Sequence, residues 1–395
     1  MARAGARHRR AAFLERGRGT LPRARPLDRG AAGAGARPGG GQPVSTPLRI
    51  LHAIRSDGFS GVEQFVLRLA RTQAADGHAV HVIGGDPPRM RPGLDEAGVA
   101  HTPAARTIEV LRAVRGLAGD VDVVNTHMTA ADVGAVAALA TRSRARRPAV
   151  VATCHFARRR GRVGPVPIEA LVRGGIDAQI SISSAVAMAI DGPSTVVHTG
   201  IDPRPAVDPS TRDRTVLMAQ RLQPEKRTDV GVRAFAASGL AGEGWTLDIA
   251  GIGPEREPLE RLVAELGLAA SVRFSGYRTD LPELLSRAGL LLAPCPVEGL
   301  GLTLLEAMAS GLPPVAADAA GHVELLAGLD ERARFAAGDP DAAGERLRSL
   351  AADPAARAAL GVAARERQQR DFSLRAQADG TEAAYGAAIA RKGRR

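Results

Sequence analysis

Cysteine, lysine and the large aromatics are all scarce in this chain of 395 residues. The two cysteines, Cys154 and Cys295, lie 141 positions apart, which gives neither a metal-ligand spacing nor a disulfide framework. Two thiols used so sparingly point to a reducing compartment, with a single bridge between them as the alternative. Trp245, Tyr277 and Tyr385 are the only Trp or Tyr residues for stacking on bases, which opposes a single-strand nucleic-acid platform. No run of about 18 uncharged apolar residues occurs, so nothing reads as a membrane-spanning helix. With 24% charged and 45% hydrophobic residues, the chain is not collagen-like, coiled-coil or wholly disordered, and its length suits two or three domains.

Lysine is the most informative shortage. Of 53 basic residues only Lys226 and Lys392 are lysine, the pattern of a GC-rich codon bias, so a lysine inside the body needs its own explanation. The net charge of +11 is concentrated at the ends: +8 in residues 1–46 and +4 in the last five. The remainder carries about −1, so the total charge does not imply a specific nucleic-acid partner.

Residues 1–46 have no apolar period and read as a disordered arm, or as sequence upstream of the true start. From residue 47 short apolar strands alternate with helices, which predicts parallel βαβ units. In the first half the expected strands are Leu48–Ile54, Ala79–Ile83, Val121–Asn125, Ala149–Thr153, Ala178–Ile182 and Thr195–His198. A Pro-rich polar break covers 203–214, and the alternation restarts with Thr215–Ala219, Trp245–Ala250, Val272–Ser275, Leu290–Ala293 and Pro314–Ala317. The expected division is 47–203, 204–373, a terminal helix over 374–390 and a basic tail over 391–395.

Several common chemistries have no motif here: no Gly-x-x-x-x-Gly-Lys-Ser/Thr loop, no Gly-x-Ser-x-Gly elbow and no His-Glu-x-x-His helix. Gly251-Ile-Gly253-Pro-Glu-Arg256 stops short of a dinucleotide fingerprint, and the nine histidines lack ligand spacing, so no metal or cofactor is expected. Four features at strand ends remain. Arg221-Leu-Gln-Pro-Glu-Lys226 offers a planar fork and a compact charge suited to a diphosphate; the alternative is a solvated loop. In Glu298-Gly-Leu-Gly-Leu-Thr-Leu-Leu-Glu306, Gly299 and Gly301 place Glu298 on a loop, with a helix starting near Leu302. The free N–H groups of that first turn and the Thr303 hydroxyl would suit phosphate oxygens. Gly251 and Gly253 form a turn that lets backbone approach a ligand closely; the alternative is an ordinary strand-to-helix turn. In the first half, Gly58–Glu63, His127 and His155 all follow strands and define a site facing the second half.

Taken together, Phe59-Ser-Gly61-Val-Glu63, Cys154-His155, Gly200-Ile-Asp202, Gln220–Lys226, Gly251–Glu255, Gly276-Tyr-Arg and Glu298–Gly311 resemble the retaining nucleotide-sugar glycosyltransferases of family 4. The resemblance covers about residues 47–390. It implies an α/β GT-B fold: two Rossmann-like domains facing across a cleft, with the final helix crossing back to the first domain. It also implies a UDP-, GDP- or ADP-sugar donor on the second domain and a sugar, glycolipid or small-molecule acceptor on the first.

In that family's roles, Arg221 and Lys226 would neutralise the donor diphosphate, Glu298 would hold sugar hydroxyls and Glu306 the ribose. Gly299, Leu300 and Gly301 would supply backbone donors, Gly61 would face the diphosphate, Tyr277 or Arg278 would lie near the base, and His155 near the reacting sugar. No metal is implied. Leu300 replaces the family's usual aromatic, and His198-Thr199-Gly200 stands where Pro-Asn-Gly is frequent. The run Arg158-Arg159-Arg160-Gly-Arg162 suggests an anionic acceptor or a peripheral contact with the inner membrane face, and otherwise a solvated loop. The expected protein is cytoplasmic. An epimerase or phosphorylase on the same fold is the nearest alternative, and a basic-arm nucleic-acid binder a more distant one.

Overall fold

The structure, a computed structural model, describes residues 46–393. The arm expected over 1–46, except Thr46, and the end of the basic tail lie outside the described residues.

Nine strands form the first half: β1 Arg49–Ile54, β2 Ala79–Ile83, β3 Ala100–Thr102, β4 Val123–His127, β5 Ala149–Cys154, β6 Arg162–Val163, β7 Val166–Pro167, β8 Ala178–Ser181 and β9 Thr195–Val196. Seven of them make a parallel sheet in the order β3-β2-β1-β4-β5-β8-β9, while β6 and β7 pair as a small separate hairpin. The second half has β10 Thr215–Ala219, β11 Thr246–Ala250, β12 Val272–Gly276, β13 Leu290–Ala293, β14 Pro314–Ala317 and β15 Arg334–Phe335. They form a parallel sheet in the order β12-β11-β10-β13-β14-β15. Both sheets thus wind outward from β1 and β10 and reverse beside β4 and β13, the doubly wound Rossmann pattern.

The central strands are near-continuous apolar runs because helices cover both faces of each sheet. Val216, Leu217 and Met218 of β10 and Leu290, Leu291 and Leu292 of β13 are fully or almost fully buried. The last helix, Leu374–Gly393, leaves the second half and packs against the helix Gly61–Ala75 and strands β5 and β8 of the first. Gly200 makes that return possible: a Cβ there would stand 2.2 Å from the Ser373 carbonyl oxygen. The Gly200 N–H also donates to Gln377 Oε1 at 2.6 Å. Both cysteines are free.

The expected strand over 121–125 is displaced. It begins at Val123 and runs on to His127, so His127 ends the strand and is completely buried.

Candidate active site

The carboxyl ends of both sheets open on one cavity of about 600 Å³, lined by Gly61 and His155 from the first half and by Arg221, Lys226, Glu298 to Thr303 and His322 from the second. Its position follows from the winding. Where strand order reverses, neighbouring loops run to opposite faces and leave a crevice.

On the second half, the loop after β10 is folded back by Gln220, whose carboxamide donates to the Lys226 carbonyl at 3.1 Å and to the Thr228 hydroxyl at 2.9 Å. Arg227 follows in the left-handed region at φ 52°, an uncommon conformation for a residue with a side chain. The result is a half-buried Lys226 ammonium in an ion pair with the Glu298 carboxylate. Arg221 is more exposed, with Glu225 at 3.7 Å.

The loop after β13 carries Glu298, and the helix Leu302–Ala309 begins as the glycines suggested. Gly301, at φ 101°, leads into it; a Cβ there would meet the His322 ring at 2.7 Å. A Cβ on Gly299 would come within 3.0 Å of the His155 carbonyl oxygen across the cleft. Leu300 is buried in the wall and Thr303 lines the cavity from the first helical turn. Glu306 lies three residues further along the same helix face, outside the cavity lining. It stands 3.8 Å from Arg68 Nη2 and 3.9 Å from Arg204 Nη2.

On the first half, the helix Gly61–Ala75 starts at the cavity wall. Its Glu63 carboxylate accepts from the Ser60 N–H and hydroxyl, each at 2.8 Å, so Glu63 caps the helix. Burial opposes the charge of Glu63, but the hydrogen bonds outweigh it and hold its pKa below the ordinary 4.5. Burial pushes the His155 pKa down to about 4, so the ring is neutral at pH 7.

Besides Glu306, five expected site residues are not in the cavity lining. His127 lies behind His155, with His127 Nδ1 and His155 Nε2 3.1 Å apart. Gly251 and Gly253 serve the packing of the loop after β10, since a Cβ would strike the Gln220 oxygen at 1.8 Å or the Leu222 oxygen at 2.1 Å. Tyr277 is 67% exposed, and the Arg278 guanidinium is engaged by Asp280. The basic run is also divided: the Arg160 side chain is buried, donating to Asp132 at 2.8 Å and Glu169 at 2.7 Å, while Arg158, Arg159 and Arg162 are exposed.

His322 and Cys295 are lining residues that the sequence reading passed over. Both follow strands, so the strand-end rule that found His155 would have found them. The His322 Nδ1 lies 3.2 Å from the Ala317 carbonyl oxygen, which can only accept, so Nδ1 carries the proton. Burial, with Glu298 nearby, raises the Cys295 thiol to about 11, which keeps it protonated. Among the described residues, the side-chain-bearing ones at positive φ besides Arg227 are Met128 and Ala320, both in turns after strands facing this cleft. Backbone strain of that kind clusters where surrounding structure fixes a site. Among the described residues, no group of three His, Cys, Asp or Glu side chains is placed to hold a metal ion, and no helix is long and apolar enough to cross a membrane.

Comparison with known proteins agrees with this geometry. The family described as Glycosyltransferase Family 4 matches residues 59–204, and that described as Glycosyl transferases group 1 matches residues 203–367. The GDP-mannose-dependent alpha-(1-6)-phosphatidylinositol monomannoside mannosyltransferase of Mycolicibacterium smegmatis is 30% identical over 78% of this chain and 88% of its own length. The chain belongs to the family 4 glycosyltransferases. This glycosyltransferase is also 30% identical to the lipopolysaccharide core mannosyltransferase LpsB of Rhizobium meliloti, over 53% of this chain and 65% of that protein. Its fold is that of the crystal structure of Anabaena Alr3699/HepE in complex with UDP. That match has a TM-score of 0.69 at 18% identity, covering 86% of this chain and 100% of the other. The fold is therefore GT-B, with the terminal helix crossing back.

Proposed function

We propose that this glycosyltransferase moves a hexosyl group from a nucleoside-diphosphate sugar to an acceptor hydroxyl, with retention and without a metal ion. The observation that carries the reading is the arrangement of Arg221, Lys226 and Glu298 at the ends of β10 and β13, facing Gly61 and His155 across one cavity. Residues 47–203 form the acceptor side and 204–373 the donor side, with 374–390 joining them. Arg221 and Lys226 hold the diphosphate and stabilise the charge that grows on it as the sugar–oxygen bond breaks. As Lys226 turns to phosphate, Glu298 is released to accept from sugar hydroxyls. Gly299, Leu300, Gly301 and Thr303 offer N–H and hydroxyl donors. Glu306 exchanges its arginine neighbours for the ribose, and Tyr277 or Arg278 approaches the base. The donor phosphate oxygen helps take the acceptor proton, so no dedicated base is required.

A UDP, GDP or ADP donor fits the same groups; the M. smegmatis relative is GDP-mannose-dependent and the HepE crystal holds UDP. A thermal-shift panel of the three nucleotides and their sugars tests the reading. One class should raise the melting temperature, and no shift at millimolar concentration refutes it. NMR of the product's anomeric centre decides retention, and turnover in EDTA decides metal independence.

The reading places the enzyme in the cytoplasm, peripheral at the inner membrane face. Exposed Val163, Val166 and Leu171 sit among Arg158, Arg159 and Arg162 on and beside the β6–β7 hairpin, pairing apolar and cationic groups as an anionic bilayer requires. Co-flotation with phosphatidylglycerol vesicles but not phosphatidylcholine vesicles is expected; equal recovery with both overturns this contact.

A further inference from the structure

Behind His155 runs a line of buried polar groups that the reaction described above does not use. His155 Nε2 lies 3.1 Å from His127 Nδ1, His127 Nε2 lies 3.1 Å from His52 Nδ1, and His52 Nε2 lies 2.8 Å from Gln73 Oε1. His52, Gln73 and His127 are fully buried, and Phe65 packs edge-on against the His155 ring with centroids 4.7 Å apart. A neutral imidazole has one donor and one acceptor nitrogen, so a line of three can point only one of two ways.

The direction is set at the far end. The Asn125 amide donates through Nδ2 to the Val151 carbonyl at 2.8 Å, an oxygen that can only accept. Its Oδ1 therefore faces the Tyr385 phenol and accepts that group's single proton at 2.8 Å. The phenol oxygen is left with acceptor capacity on the side of the Gln73 amide. Gln73 Nε2 has no hydrogen-bond partner among the described residues. Turning the Gln73 amide over would put two acceptors against one phenol proton. Gln73 Oε1, which can only accept, faces His52, so His52 carries its proton on Nε2, His127 on Nε2 and His155 on Nε2.

We propose that Gln73, held by Tyr385 and Asn125, fixes the tautomer of His155 through His52 and His127, leaving its Nδ1 as a bare acceptor for the cavity. Gln73 and Tyr385 are positioning residues. Tyr385 lies on the crossover helix, so the return of the chain to the first half sets a chemical property of the site. His155 Nδ1 has no protein partner among the described residues, and His155 lines the cavity. A lone pair there accepts from a hydroxyl or N–H and repels phosphate oxygen. On the reading proposed above, it keeps the diphosphate on the Arg221 and Lys226 side.

The test is the two-bond ¹H–¹⁵N spectrum of the full chain labelled with ¹⁵N-histidine at pH 7.5, assigned by single histidine replacements. It is independent of donor identity and of activity. His52, His127 and His155 should each show a protonated Nε2 and an unprotonated Nδ1; a protonated Nδ1 on His155 overturns the proposal. Tyr385→Phe frees the Gln73 amide to turn, and His155 should then show both tautomers; an unchanged single tautomer overturns the role of Tyr385. Adding Gln73→Glu, whose carboxylate can only accept, should restore the single Nε2-protonated form. If Tyr385→Phe does not fold, Gln73→Met is read the same way: mixed tautomers support the proposal and a single one refutes it.

Discussion

Lys226 shows how one residue can be legible in a sequence. Its side chain could have been spent on any solvated surface, but a chain that otherwise uses arginine retains lysine where a compact charge is needed. The structure puts it 14% exposed against Glu298. Lys226→Ala should lower donor-dependent turnover at least tenfold, measured with whichever nucleotide sugar the thermal-shift panel selects. It leaves Glu298 partly buried without a partner, so Lys226→Ala/Glu298→Gln should recover stability but not turnover. Wild-type turnover in Lys226→Ala would refute the diphosphate role. The histidines give a second residue-scale prediction. Burial lowers the pKa of His52 and of His155 from 6.5 to about 4, so between those values the unfolded chain binds more protons than the folded one. Stability therefore falls as pH drops from 6.5 towards 4, by roughly 3 kcal/mol for each ring at the lower end. Melting temperature against pH checks this, and a flat profile from 6.5 to 5 refutes buried neutral rings. Gly251 and Gly253 were legible as unusual backbone but not as packing residues, because the colliding Gln220 and Leu222 oxygens come from another strand's loop.

At the scale of elements, strands buried on both faces announce themselves as apolar runs, and those of the two sheet centres were readable almost to the residue. β3, β15 and the β6–β7 hairpin were not, because they are two or three residues long and lie at edges where burial imposes no pattern. The start of β4 was misplaced for a related reason. Val121 is apolar and buried but precedes the ladder, which pairs Val123 with Ile50 and carries His127 opposite Ile54. The crossover helix was expected only through family resemblance, since its Ala-rich sequence does not say what it packs on. Its docking point gives the prediction for this scale. Gly200→Ala places a Cβ against the Ser373 carbonyl, and forcing atoms into such a contact costs about 1–3 kcal/mol. The helix Leu374–Gly393 should then become the first site of limited proteolysis, with the two sheets retained by circular dichroism. Unchanged protection would show that the chain relieves the contact by a small shift.

At the scale of the molecule, the catalytic proposal requires two sheets to present their carboxyl ends to one ligand, and polar groups beside the cleft help hold them in that relation. The Ser183 hydroxyl donates to the Gly299 carbonyl at 2.5 Å. Glu324 accepts from the Ala185 N–H at 3.2 Å and the Ser184 hydroxyl at 3.3 Å, and meets His198 Nε2 at 2.6 Å. Polar contacts of this kind resemble a transient interface, whose halves move unless a ligand or charge holds them. Glu324 is therefore the residue whose loss should open the cleft. Burial raises its pKa, but the hydrogen bonds from His198, Ser184 and Ala185 outweigh that and bring it below 4.5. A depressed carboxylate stabilises above its unfolded pKa and loses that contribution as pH falls through the folded value. The clasp should thus hold at pH 5 and weaken only below 4.5. Glu324→Gln keeps the shape and removes the charge, so small-angle scattering should show a larger radius of gyration for the variant at pH 7. A saturating donor nucleotide should reverse the difference, because it ties both halves through Gly61 and Lys226. An identical radius for variant and wild type without nucleotide would mean that the crossover helix alone sets the angle between the sheets.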